Sequence, residues 1–161
     1  MWQDLIEVLG KICTVYEDLG KIGERKRDAL VTVDMKTLAK ILDEEQLAAA
    51  KIQNLEKKRG SILKELSKGF KNVNEKTKAT EFYKNAPNAQ IRARLTSLHG
   101  TLTKNVERAI TLRDNNQILA QSALNAVKYH LNKLGGAAIT PTYGQKGGSS
   151  VVHEKKFDFK A

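Results

Sequence analysis

The chain has 161 residues, a net charge of +10, two prolines and a single cysteine. That length fits one domain, and the lone Cys13 excludes an internal disulfide and suits a reducing compartment. No uncharged run approaches the roughly 20 residues that a membrane span needs, and Asp4, Glu7, Glu17 and Asp18 interrupt any signal-like apolar opening, so a cytoplasmic protein is expected.

Leu5, Leu9, Ile12, Tyr16 and Leu19 recur at spacings of four and three, and the rhythm resumes at Leu30 and Val33 after Gly23 and Lys26 occupy the seam. This predicts a first helix with a heptad stripe. Ile6, Val8, Val15 and Ile22 widen the stripe, which suits a bundle better than an isolated pair of helices. The β-branched run Val31-Thr32-Val33 weakens the helix, and Asp34 is placed to N-cap a second one. The second seam runs Leu38, Ile41, Glu45, Ala48, Ile52, Leu55, Arg59, Ile62 and Leu66, broadened by Leu42, Ala49 and Leu63. Its two polar members, Glu45 and Arg59, are expected at the solvent edge or as register-setting residues.

Gly69, Asn72, Asn74, Asn85 and Pro87 mark 69–88 as a connection, with a short turn at 80–84 closing the end of the bundle. The third long helix is predicted from about 88 to 134. Its seam begins Ile91, Leu95, Leu98, Leu102, Val106, Ala109 and Leu112 and continues through Leu119, Ala123 and Ala126. It would span roughly 70 Å, with Gly100 as a candidate bend and Gly135-Gly136 as its stop. Beyond Leu112 a second stripe emerges at Ala120, Leu124, Val127, Leu131 and Leu134, about 100° around the helix from Leu119, Ala123 and Ala126. Two readings stay open for it: further packing within the bundle, or a surface for a partner.

Five of the 11 glycines, with Pro141, Ser149 and Ser150, fall in 135–161. The composition is that of a flexible tail. It carries Val151-Val152, Phe157 and Phe159, which are suited to docking on an apolar surface. The expected organisation is therefore a helical bundle domain over 1–134 and a Gly-rich C-terminal tail over 135–161. The fold class is all-α: an elongated antiparallel bundle of three long helices plus a short connecting helix, with coiled-coil-like packing.

The residues offer no basis for an enzyme. None of His99, His130 and His153 has a glutamate three residues before it, as a di-iron bundle requires. There is no Cys-x-x-Cys for zinc, and Gly147-Gly148 follows no strand and lacks the lysine of a phosphate loop. Cys13 reads as a small buried apolar residue, and His99 and His130 as core-edge residues. Neither a metal nor a cofactor is expected. The positive excess falls mostly on 89–134, where seven basic residues face two acidic ones. Spread without interleaved aromatics, it reads as a solvated face and not as a nucleic-acid footprint.

Several stretches together resemble one family. They are Leu5…Leu9…Tyr16-x-x-Leu19, then Leu30 and Leu38, then Glu45, Ile52, Leu55-Glu56 and Arg59. Asn115-Asn116 followed by Leu119, Ser122 and Leu124, and a terminal Thr142-Tyr143-Gly144-Gln145-Lys146-Gly147, complete the set. In this order and spacing, across essentially the whole chain, they resemble the FlgN family of flagellar export chaperones. The resemblance implies a non-enzymatic chaperone of type III flagellar export. Such a protein binds the C-terminal amphipathic helix of the hook–filament junction proteins FlgK and FlgL and presents them to the export gate protein FlhA. Tyr143 and Gly144 match the family motif and are the candidates for export-gate contact. From the two-stripe pattern, the substrate-binding groove is placed on Leu112, Leu119, Leu124, Val127 and Leu131. The rival readings are a chaperone for another secretion cargo, a basic helical nucleic-acid binder, and a coiled-coil scaffold or homodimer.

Overall fold

The computed structural model describes residues 1–135. They form α1 (Trp2–Thr32), α2 (Met35–Ser67), a one-turn α3 (Ala79–Phe82) continued by a 3-10 turn (Tyr83–Asn85), and α4 (Ala89–Leu134). The all-α class and the three long helices agree with the sequence reading. Tyr143, Gly144 and the rest of 136–161 lie outside the described residues.

α1 ends where the β-branched run predicts. Val33 adopts the left-handed region at φ 54° and its backbone turns back to the carbonyls of Ala29 and Leu30, an unusual conformation for a β-branched residue. Asp34 then caps α2, its carboxylate accepting from the Thr37 amide (3.1 Å) and hydroxyl (2.6 Å). The hairpin is therefore two residues long, and α2 returns antiparallel along α1. Arg25 donates both terminal nitrogens to Glu44 (2.6 and 2.9 Å), and Lys26 pairs with Glu45 at 2.9 Å.

α1 packs along both α2 and α4, and the two outer helices make no comparable backbone approach to each other. On the α4 side, contacts climb in step. Cys13 donates to the Leu98 carbonyl (3.4 Å), and Asn105 donates to the Cys13 carbonyl (3.1 Å). Higher up, Arg108 pairs with Glu24 (2.7 Å), and Asn116 donates to the Gly23 carbonyl (2.8 Å). Numbers rise together, so α1 and α4 run parallel in an up-down-up bundle. Two amides reaching carbonyls ten residues apart fix that register, the use to which buried Asn is put in coiled coils. Gly23 is what lets α4 come this close: a Cβ there would sit 3.1 Å from Leu112 Cβ.

The tightest packing lies at the α1 N-terminus. Leu5, Leu9, Ile12, Phe82 and Leu95 are essentially inaccessible and belong to one cluster. Trp2 stacks obliquely on Phe70 and Phe82 with ring centroids 6.3 and 5.8 Å away. The short α3 thus plugs this end, as expected for a closing turn. α4 starts from an Asn88 cap that accepts from the Ile91 amide at 2.9 Å, and it runs 46 residues, about 69 Å, continuous through Gly100.

Between α1, α2 and the 3-10 turn lies a half-buried polar cluster. Glu56 holds Arg59 at 2.8 Å, and one of its carboxylate oxygens is buried with no hydrogen-bond partner among the described residues. Burial raises the Glu56 carboxyl above its ordinary range despite the opposing charge of Arg59. Burial also raises Tyr16, helped by the Glu56 charge, and pushes Tyr83 up to about 12. A carboxyl whose folded pKa is raised favours the folded state while protonated. That contribution is present below its ordinary pKa and is lost as pH rises through the raised value. Glu56→Gln is therefore expected to raise the thermal midpoint at pH 7 and to change it little at pH 4. Melting curves across that interval check the sign; an equal midpoint shift at both pH values would contradict it.

Candidate functional site

The end of the bundle opposite the aromatic plug is open. Gly23 of α1 lies against Leu112 and Asn116 of α4. In a parallel pair this register sets the end of α1 opposite about residue 123, so α4 projects some eleven residues, roughly 16 Å, beyond its partner. No residue of α4 after Asn116 is buried. Leu124 is 48% exposed, Val127 47%, Leu131 62% and Leu134 86%. Their spacings of three, four and three put them on one face. Met1 excepted, every exposed large hydrophobic residue among those described lies in the α1–α2 hairpin region, the N-terminal half of α2, or α4 from Ile110 onward.

The five residues assigned to substrate binding divide at this boundary. Leu112 is half-buried with its side chain against Gly23, and Leu119 is also half-buried. Leu124, Val127 and Leu131 stand on the projecting stripe. Two expectations are corrected here. Ala126 was expected to continue the core seam, but it is exposed, because α1 has ended before the seam reaches it. His130 was expected at the core edge and is exposed on the same projection, its ring 5.7 Å from Tyr129. His99 does sit at the core edge, half-buried and edge-on to Tyr83 at 6.0 Å.

Below the projection, α2 and α4 part to leave a cleft of about 320 Å³ floored by α1. Tyr16, Leu19 and Gly23 form its floor, Ala49 and Ile52 line the α2 side, and Val106, Ala109 and Ile110 line the α4 side. Lys26, Glu45 and Arg113 give it a charged margin. Glu45, one of the two polar seam residues, is therefore a half-buried partner of Lys26 at the cleft. Arg59, the other, holds Glu56 within α2. Asn116 is the one buried polar side chain among the described residues, and its Oδ1 has no hydrogen-bond partner there.

Sequence reasoning did not isolate this cleft. The signal was present in the alternation 106, 110, 113, 117, 120, which leads without a break into the second stripe. Val106 and Ala109 were read as core seam, and polar Arg113 and Gln117 hide the continuity.

Electrostatically the projecting end of α4 is cationic. Among the described residues no Asp or Glu follows Asp114, whereas Lys128 and Lys133 do, the latter lying 5.4 Å from the Tyr129 ring centre. No group of three or more His, Cys, Asp or Glu able to hold a metal occurs among the described residues, and no described helix is long and apolar enough to cross a membrane. What the geometry offers is an apolar face on a rigid helix, next to a shallow apolar cleft. Both suit the burial of another helix.

The family model described as FlgN protein matches residues 1–150. No curated protein and no solved structure matches the chain.

Proposed function

Because the chain belongs to the FlgN family of flagellar export chaperones, we propose that it holds the C-terminal amphipathic helix of the hook-filament junction proteins FlgK and FlgL in the cytoplasm, prevents their premature assembly, and hands them to the export gate protein FlhA. The observation that carries this reading is the apolar stripe of Leu124, Val127 and Leu131 on the projecting end of α4. An amphipathic segment cannot bury its apolar face alone, and a helix presenting a matching stripe covers it by helix-in-groove packing. Leu112 and Leu119 form the inner margin of the site and hold α4 in place beside the contact residues. The role is one of binding, without catalysis or a cofactor.

Export requires release. A cargo segment that orders only when bound spends part of the interaction energy on that ordering, which keeps the complex reversible. The bundle over 1–134 carries cargo binding in this reading. The tail over 135–161, with Tyr143 and Gly144, carries gate contact.

Calorimetric titration with C-terminal segments of FlgK and FlgL homologues from the same genome tests the assignment. The expected result is 1:1 binding at micromolar affinity or tighter, with a negative heat-capacity change from apolar burial. Deleting 140–161 is expected to leave that titration unchanged and to weaken binding to FlhA. Absence of heat and of co-elution with either segment would remove the FlgK and FlgL assignment; loss of cargo binding on deletion would make the tail part of the groove.

A further inference from the structure

The cleft and the projecting stripe are one surface. On α4, positions 106, 110, 113, 117, 120, 124, 127, 131 and 134 alternate spacings of four and three throughout, so they share one face of the helix. The lower positions line the cleft, and the upper ones are the exposed stripe. The opposite wall keeps the same rhythm: positions 52, 49, 45, 42, 38 and 35 of α2 run from the cleft toward the open end, and Leu42 and Met35 are exposed there. The face runs for 28 residues, about 42 Å at 1.5 Å per residue, and is apolar except at Arg113 and Gln117.

We propose that a single amphipathic partner helix of about 28 residues, acidic along one edge, lies along this whole face, becoming the fourth helix of the bundle in the cleft and continuing along the projection of α4. The proposal rests on the reading of the projecting stripe as the cargo surface, and adds the length of the cargo, its charge and the part played by the cleft. Charge complementarity selects the occupant. Arg113 at the cleft is held by Asp114 at 3.0 Å, but beyond Asp114 the described residues carry no acidic side chain, whereas Lys128 adjoins Val127 at the edge of the stripe and Lys133 follows. A second copy of the chain would bring the same cations to the same edge, and like charges opposed across helices disfavour pairing. A helix with Glu or Asp along the matching edge is attracted instead.

The experiment uses designed amphipathic peptides on the full chain: a 28-residue peptide with Glu at its edge positions, the same length with Lys, and a 14-residue Glu-edged peptide that covers the stripe alone. The Glu-edged 28-mer is expected to bind at least tenfold tighter than either of the others. Ile110→Asp, at an exposed cleft position, is expected to reduce 28-mer affinity to that of the 14-mer and to leave the 14-mer unchanged. Lys128→Glu, on an exposed side chain that leaves the fold intact, is expected to reverse the preference between Glu and Lys edges. Equal binding by both lengths, with Ile110→Asp silent, would overturn the continuous track and leave the chaperone reading standing. Equal binding by Glu- and Lys-edged peptides would overturn the acidic-edge assignment. Binding by none of the peptides, with a concentration-dependent mass that Leu131→Asp abolishes, would make a second copy the occupant and overturn both readings of this surface.

Discussion

Replacing Leu124 and Leu131 together by Asp is expected to lower affinity for the FlgK or FlgL helix by roughly 100-fold or more while leaving the bundle folded. Each leucine is about half exposed in the free chain and would be covered in the complex. Complete burial of a leucine side chain contributes about 1.5–3 kcal/mol; the half still exposed here, taken over two sites, contributes about 1.5–3 kcal/mol. A desolvated carboxylate at each position adds a penalty of its own, so the total passes the 2.7 kcal/mol or so that corresponds to 100-fold. The folded state has little to lose, because among the described residues no tertiary hydrogen bond or buried side chain depends on α4 beyond Asn116, and surface substitutions away from such features shift stability by about 0.5 kcal/mol or less. Asp does oppose the helix dipole near a C-terminus. The pair Leu124→Gln and Leu131→Gln controls for this, since Gln is a good helix former, and it should weaken binding in the same direction. Titration calorimetry measures the affinities and circular dichroism the helicity. Unchanged affinity with full helicity in both pairs would move the cargo site away from the projection.

Local rules carried far in this chain. The end of α1, the Asp34 and Asn88 caps and the extent of α4 depend on a few neighbouring residues, and the sequence contains those residues. The heptad seams likewise gave three long helices and a bundle. What local rules do not contain is the relative position of two helices. Whether Ala126 and His130 are covered depends on where α1 stops against α4, and that follows from the contacts of Gly23 with Leu112 and Asn116, which are about ninety residues apart in sequence. Asn115-Asn116 was legible only as a family-like stretch; in the fold, Asn116 is a register pin buried against α1. The second stripe was visible as a periodicity, but a stripe does not say whether something covers it. The cleft escaped notice for a related reason: it exists because α2 and α4 diverge across α1, and no single helix records its distance from another.

The largest stability loss is expected at the other end of the molecule. Phe82 is 1% exposed and contacts the Trp2 ring, in a core cluster with Leu5, Leu9, Ile12 and Leu95. Truncation to Ala removes the buried ring and leaves a cavity whose walls belong to long helices, which relax only partly. Phe→Ala in such a setting costs about 3–5 kcal/mol, a large fraction of a typical domain stability of about 5–15 kcal/mol. For a chain of this size that corresponds to a midpoint lower by about 10–20 °C. A loss below about 1 kcal/mol in chemical denaturation would mean that α3 is a loosely held cover and not a plug. The same variant bears on function. Phe82 lies far from the exposed stripe, so below its lowered midpoint Phe82→Ala should bind the cargo helix as tightly as the unmodified chain, the reverse of the Leu124 and Leu131 pair, which loses affinity and keeps stability. Those opposite patterns would assign the closed end of the bundle to holding the three helices together and the open end to binding. If Phe82→Ala weakened stability and affinity together at low temperature, the two ends would be coupled through α1, the one long helix that packs against both of the others.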